Sequence, residues 1–186
     1  KIILEQNGLA LQFIKHQTYE LCELAIRSEP LALEFVKNQT YQLCMSAVNT
    51  NGLSLQYVRN DLQSEELCMI AIDNNCNAFK YVETRFQTLN VCKLALTKSG
   101  LLLKYMDKQL QTLTLCKIAV LQNGMALGYT RDDLHVNELY LNAIQQDCSA
   151  LPFVKIVTPQ IEELLLNSKL CSKILSDDDI TFDDEK

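Results

Sequence analysis

The chain has no tryptophan, and its 186 residues include only five glycines, three prolines and two histidines. So few turn-formers argue against an all-β sandwich, which needs tight turns at short intervals. No apolar run reaches 18 residues, which excludes a helix of membrane-spanning length. No secretory leader is recognisable. There is no glycine-rich phosphate loop, and neither His16 nor His135 sits in a nucleophile or metal motif, so catalysis has little support. A strongly basic balance is also missing, since the formal net charge is -6. What the chain has is apolar residues, 48% of the total, enough for a sizeable core. Abundant leucine favours helices.

The acidity is concentrated at one end. Asp177, Asp178, Asp179, Asp183, Asp184 and Glu185 stand against Lys186 in the last ten residues, which leaves the rest of the chain close to neutral. Duplex nucleic acid is usually gripped by a basic face that displaces counterions, so a neutral body makes such a partner the lesser expectation. Residues 177–186 read as a solvated, disordered acidic tail.

Self-similarity is the strongest signal. Leu21-Cys22, Leu43-Cys44, Leu67-Cys68, Val91-Cys92, Leu115-Cys116 and Leu139-Tyr140 occupy equivalent places, 22 residues apart at the first step and 24 thereafter. Three residues after each comes alanine (Ala25, Ala47, Ala71, Ala95, Ala119, Ala143), followed by an aliphatic residue. Thirteen residues after each comes an aromatic: Phe35, Tyr57, Tyr81, Tyr105, Tyr129 and Phe153, with Phe13 extending the series backwards. The apolar spacing around each anchor predicts a first helix, N-capped by Thr18, Thr40, Ser64, Thr88 and Thr112. A break follows at Gly8, Pro30, Gly52, Cys76, Gly100, Gly124 and Cys148, where glycine fits a left-handed helix end. A second helix of similar length, about ten residues, then runs through the aromatic, which is expected to fill the space between layers. Helix pairs this short cannot bury their apolar faces alone and must stack.

The expected fold is therefore all-α: an α-solenoid of about 24-residue helix-turn-helix repeats over residues 1–157, its first repeat truncated. A capping helix is expected over residues 158–176, ahead of the tail. Lys1 falls inside a first helix, so the chain reads as a piece with further repeats upstream. Its exposed N-terminal repeat is a candidate for self-association.

The pattern Leu43-Cys44, Ala47-Val48, Asn51-Gly52, Leu55, Tyr57-Val58, repeated from Leu115-Cys116 to Tyr129, resembles the repeats of the domain of unknown function 4116. The resemblance covers about residues 1–157. It implies a helical repeat protein of the kind found in giant DNA viruses of amoebae and some bacteria. It implies no catalytic residues. Pro30, Cys76, Cys148 and Tyr140 depart from the pattern.

The eight cysteines show no Cys-x-x-Cys spacing, and stacked anchor cysteines lie too far apart for disulfides. They read as reduced core thiols, which implies a reducing compartment such as the cytoplasm, with no metal and no cofactor. Two surfaces remain as candidates. The outer stripe of the first helices, with anchor positions -1, 0, +2, +3 and +4 turned inward, presents Tyr41, Met45, Met69, Lys93 and Lys117 to a protein or peptide partner. The second is a basic column, Lys15, Lys37, Arg59, Arg131 and Lys155, interrupted by Glu83 and Asp107. It is the alternative, nucleic-acid-binding reading, and its last two members could also receive the acidic tail.

Overall fold

The computed structural model describes residues 1–167. The expected acidic tail, Cys171 and the later part of the capping segment lie outside the described residues. All regular structure among the described residues is helical. The α-helices are α1 (Ile2–Gln6), α2 (Tyr19–Ser28), α3 (Tyr41–Thr50), α4 (Glu65–Asn74), α5 (Leu89–Lys98), α6 (Leu113–Gln122), α7 (Asn137–Gln146) and α8 (Pro159–Asn167). Each from α1 to α7 is followed by a six-residue 3₁₀ helix, such as Gly52–Tyr57 after α3 and Gly100–Tyr105 after α5. Elements adjacent in the repeat are adjacent in space: every α-helix touches the α-helices before and after it, and the six-residue 3₁₀ helices do the same.

The α-helices start where the sequence places their caps. The hydroxyls of Thr18, Thr40, Ser64, Thr88 and Thr112 accept from the N–H groups of Leu21, Leu43, Leu67, Val91 and Leu115 at 3.1–3.4 Å. From α3 to α7 the anchor, its preceding residue, the alanine and the aliphatic are buried, as with Leu43, Cys44, Ala47 and Val48 in α3, while in α2 Leu21 is half-buried. That one face is what holds helices too short to be stable alone.

The second helix differs from the expectation of a ten-residue α-helix. Its buried residues include pairs three apart, Gly52 and Leu55, Gly100 and Leu103, Gly124 and Leu127, with Ser54, Leu102 and Ala126 buried beside them and the extended cap residues Val58, Met106 and Thr130 buried after them. A repeat of three matches the three residues per turn of a 3₁₀ helix, in which positions i and i+3 lie one above the other. The aromatics differ too. Phe13 is 79% exposed, Tyr105 41% and Tyr129 38%, and the layers are filled instead by Leu33, Leu55, Phe79, Leu103 and Leu127.

The break glycines also have another reason than the one expected. No described residue has a positive φ. A Cβ on Gly8, Gly52, Gly100 or Gly124 would lie 2.1–2.4 Å from the carbonyl oxygen of Ala25, Ala71, Ala119 or Ala143 in the next α-helix. Glycine is there to let two backbones touch, and alanine opposite keeps the approach clear.

Candidate interaction surface

The outer stripe is wider than the sequence indicates. Position +2, assigned to the interior, is only half-buried in Leu24, Ile70, Leu94 and Ile118, and is exposed in Ser46. The reason is that the 3₁₀ helices are shorter and narrower than α-helices and leave that edge of each α-helix uncovered. Between α3, α4 and α5 the face holds an open cleft of about 490 Å³ lined by Asn49, Met69, Ile70, Asp73, Asn74 and Leu94. Its polar rim is already engaged. Lys98 Nζ meets Asp73 Oδ1 at 2.8 Å, and Asn74 donates to the Asn49 carbonyl at 3.0 Å while accepting from the Gly52 N–H at 2.8 Å. What remains unsatisfied is the apolar floor of Met69, Ile70 and Leu94, which suits an apolar side chain.

Of the residues read from the sequence as a partner face, Met69 lines this cleft. Met45 is half-buried against the core. The Tyr41 hydroxyl reaches α4, 3.1 Å from Glu66 Oε2 and 3.3 Å from Ser64 Oγ. Lys117 is paired with Glu138 at 2.6 Å. Lys93 is exposed and has no ion pair among the described residues.

The basic column is less free than its sequence implies. Arg59 pairs with Asp61 at 2.8 Å, Arg131 with Asp133 at 2.6 Å and Lys155 with Asp132 at 2.8 Å. Lys37 Nζ donates to the Lys15 carbonyl at 3.0 Å. With Arg131 and Lys155 already holding carboxylates, they are poorly placed to receive an acidic tail as well.

Burial pushes the Cys44, Cys92 and Cys116 thiols up to about 11 and Cys68 to about 12, so they are neutral core residues and not nucleophiles. Cys22, Cys44, Cys68, Cys76, Cys92 and Cys116 are free. Cys148 corrects the expectation of uniformly reduced cysteines: it is disulfide-bonded. Among the described residues no three metal-ligating side chains converge. No described helix is long and apolar enough to cross a membrane.

One column escaped the sequence reading altogether. Gln17, Gln39, Gln63, Gln87 and Gln111, each five residues before the anchor cysteine, bridge neighbouring repeats. Their amides donate to the carbonyls of Phe35, Tyr57, Tyr81, Tyr105 and Tyr129 at 2.7–3.3 Å. Their oxygens accept from the N–H groups of Lys37, Arg59, Glu83, Asp107 and Arg131 at 2.8–3.3 Å. The period was visible, but a polar residue outside any helix gave no signal of what its amide satisfies.

At the equivalent place in the last full repeat three changes put a local cluster where the glutamine tie would stand. His135 replaces the glutamine, Tyr140 the cysteine and Thr130 the aliphatic residue. Thr130 Oγ1 donates to the Leu127 carbonyl at 2.7 Å, so it accepts from His135 Nε2 at 2.6 Å. Nδ1 is then free to accept from the buried Tyr140 hydroxyl at 3.3 Å. Burial first, then Lys155 and Lys108, hold the His135 pKa below its ordinary 6.5, against the opposing pull of Asp132. On acidification the unfolded chain therefore takes up the proton first. Stability from this site is complete above about pH 6.5 and is lost as pH falls through the depressed folded value. Denaturant midpoints measured from about pH 7.5 down to 5 should fall more steeply for the wild type than for His135→Gln; parallel curves would refute the assignment.

Residues 40–87 match the family model of a domain of unknown function, DUF4116. The match runs from Thr40, the cap of α3, to Gln87, the bridging amide ahead of α5, and so takes in two complete repeats. It supports the family resemblance drawn from the repeated motif. No curated protein matches the chain, and no solved structure matches it.

Proposed function

We propose that the chain is an α-solenoid that works as a non-enzymatic scaffold, gripping an apolar side chain of a protein or peptide partner on the face of its α-helices. The observation that carries this reading is the cleft at Met69, Ile70 and Leu94, whose polar rim is satisfied from within and whose floor is not. The contacts between successive repeats support the solenoid arrangement, in which such a face runs the length of the stack. The six free thiols fit a reducing compartment, the disulfide at Cys148 weighing the other way. The cytoplasmic setting, a host's if the chain is viral as the family resemblance implies, belongs to this proposal.

The test is selection of binding peptides from a displayed library, followed by affinities for Met69→Asp, Met45→Asp and Lys93→Glu. Met69→Asp should weaken binding at least tenfold with unchanged circular dichroism. Lys93→Glu, at an exposed position, should alter the preference for charge flanking the apolar anchor. Peptides whose affinity ignores all three variants would overturn the assignment of this face. Nucleic acid along the basic column is the second reading, with less support now that Arg59, Arg131 and Lys155 hold carboxylates. It requires binding that weakens steeply with salt and is lost on reversing Lys37 and Arg59.

A further inference from the structure

The loop that leads into each α-helix comes in two lengths. Ahead of α4, α5, α6 and α7 it contains a three-residue 3₁₀ turn, Asn60–Leu62, Thr84–Phe86, Lys108–Leu110 and Asp132–Leu134, each ending on an apolar residue. Leu62, Phe86 and Leu134 pack against the core. Ahead of α2 and α3 the loop is two residues shorter and has no such turn. The residue before the bridging glutamine is there His16 or Asn38, and both are exposed. The glutamines register the difference: Gln63, Gln87 and Gln111 are buried, whereas Gln17 and Gln39 are half-buried.

A cavity of about 230 Å³ lies where the two short loops meet. Tyr19, Cys22 and Leu43 give it an apolar wall, and Gln17, Asn38 and Thr40 also line it. Two of these polar groups are already engaged. The Gln17 amide donates to the Leu11 and Phe35 carbonyls, its oxygen accepts from the Lys37 N–H, and Thr40 Oγ1 accepts from the Leu43 N–H. The space therefore suits one apolar side chain.

The longer loops show what occupies such a place. In two of them an arginine pairs with the aspartate just ahead of the apolar residue: Arg59 with Asp61 at 2.8 Å, before Leu62, and Arg131 with Asp133 at 2.6 Å, before Leu134. Lys15 and Lys37 stand at the places of these arginines. Both are exposed and hold no carboxylate among the described residues, and Lys37 Nζ reaches only the Lys15 carbonyl. Glu20, the acidic residue in the first turn of α2, is hydrogen-bonded to Thr18. The two short loops keep the cation and the space, and lack the aspartate and the apolar side chain that fill them elsewhere.

We propose that the cavity between the starts of α2 and α3 binds a partner peptide in which aspartate is followed by leucine or phenylalanine. The peptide completes the short loops in trans as Asp61-Leu62 completes a longer loop in cis. Its apolar side chain enters against Tyr19, Cys22 and Leu43, and its carboxylate pairs with Lys15 or Lys37. Phe86 at the equivalent place shows that the position takes an aromatic ring as well as leucine. The two lysines select an acidic residue ahead of it.

The experiment titrates the ¹⁵N-labelled full chain with the synthetic peptide acetyl-Ser-Asn-Asp-Leu-Gln-Ser-amide. Saturable amide shifts should appear at millimolar peptide, confined to the residues around the cavity in the two short loops and the first turns of α2 and α3. Alanine in place of the peptide's leucine should weaken binding about tenfold. Asparagine in place of its aspartate should weaken binding about threefold, an effect that salt removes. In the protein, Lys15→Glu with Lys37→Glu should weaken binding by a similar factor. Replacing Asn38 by Asn-Asp-Leu, which copies Asn60–Leu62, should fill the cavity from within and abolish binding. No saturable shift, shifts elsewhere on the chain, equal binding of the asparagine peptide, or unchanged binding to either protein variant would each overturn the proposal. Shifts of the same residues with protein concentration alone would give the cavity to a second copy and overturn it too. None of these outcomes depends on the cleft at Met69.

Discussion

Replacing Gly52 or Gly100 by alanine should lower stability by about 3 kcal/mol or more, at the upper end of what overpacking costs. The added Cβ would sit 2.2 Å from the Ala71 carbonyl oxygen or 2.1 Å from that of Ala119. Each obstacle is helix backbone, so relief requires a whole repeat to move away from its neighbour. Gly128 is the internal control. A Cβ there meets ring atoms of Phe153 at 2.8–3.0 Å, and a half-buried side chain can turn aside. Gly128→Ala should therefore cost under about 1 kcal/mol. Denaturant midpoints of the three variants decide the matter, and equal losses at all three positions would refute the backbone-contact reading.

Gln111→Met is the second large effect. Gln111 is 2% exposed, donates to the Tyr129 carbonyl at 3.0 Å and accepts from the Arg131 N–H at 2.8 Å. Methionine preserves the volume and removes both partners, leaving two backbone groups unsatisfied at roughly 1–3 kcal/mol each. The expected loss is about 2–4 kcal/mol, with faster hydrogen exchange at the Arg131 amide. The same change at Gln17 should cost less. That side chain is only half-buried, and water can replace it at the Lys37 N–H. A flat response along the column would mean that the amides follow the packing and do not fasten it.

Both effects rest on features that the repeat made visible without explaining. The glycine period could be counted from the sequence, yet the residue opposite each glycine belongs to the following repeat. Its carbonyl comes within reach only once the helices are stacked. The glutamine period could be counted equally well, yet a side chain ahead of a helix gives no sign that its amide spans two repeats. The outer stripe was legible in its polar and apolar alternation, but the half-exposure of Ile70 and Leu94, which makes a cleft, depends on how narrow the opposing 3₁₀ helix is. The ion pairs that occupy Arg59 and Arg131 come from Asp61 and Asp133 two residues on, and the one at Lys155 comes from Asp132 in the preceding repeat; no spacing dictates these rotamers.

The sequence by itself determined the α-helices, their threonine and serine caps, the four buried positions on each of α3 to α7 and the period that sets repeat against repeat. These follow from local rules: helical spacing of apolar residues and capping of free N–H groups. Tertiary structure alone decided the rest. It made the second element a six-residue 3₁₀ helix closed by a buried, extended residue such as Val58 or Met106. It gave the glycines their purpose and turned five glutamines into ties between repeats. It also set which cations are spent on their neighbours. The glycine contacts, the glutamine ties and the Lys155–Asp132 pair depend on atoms one repeat away, and the free energy that selects them arises only when two repeats touch.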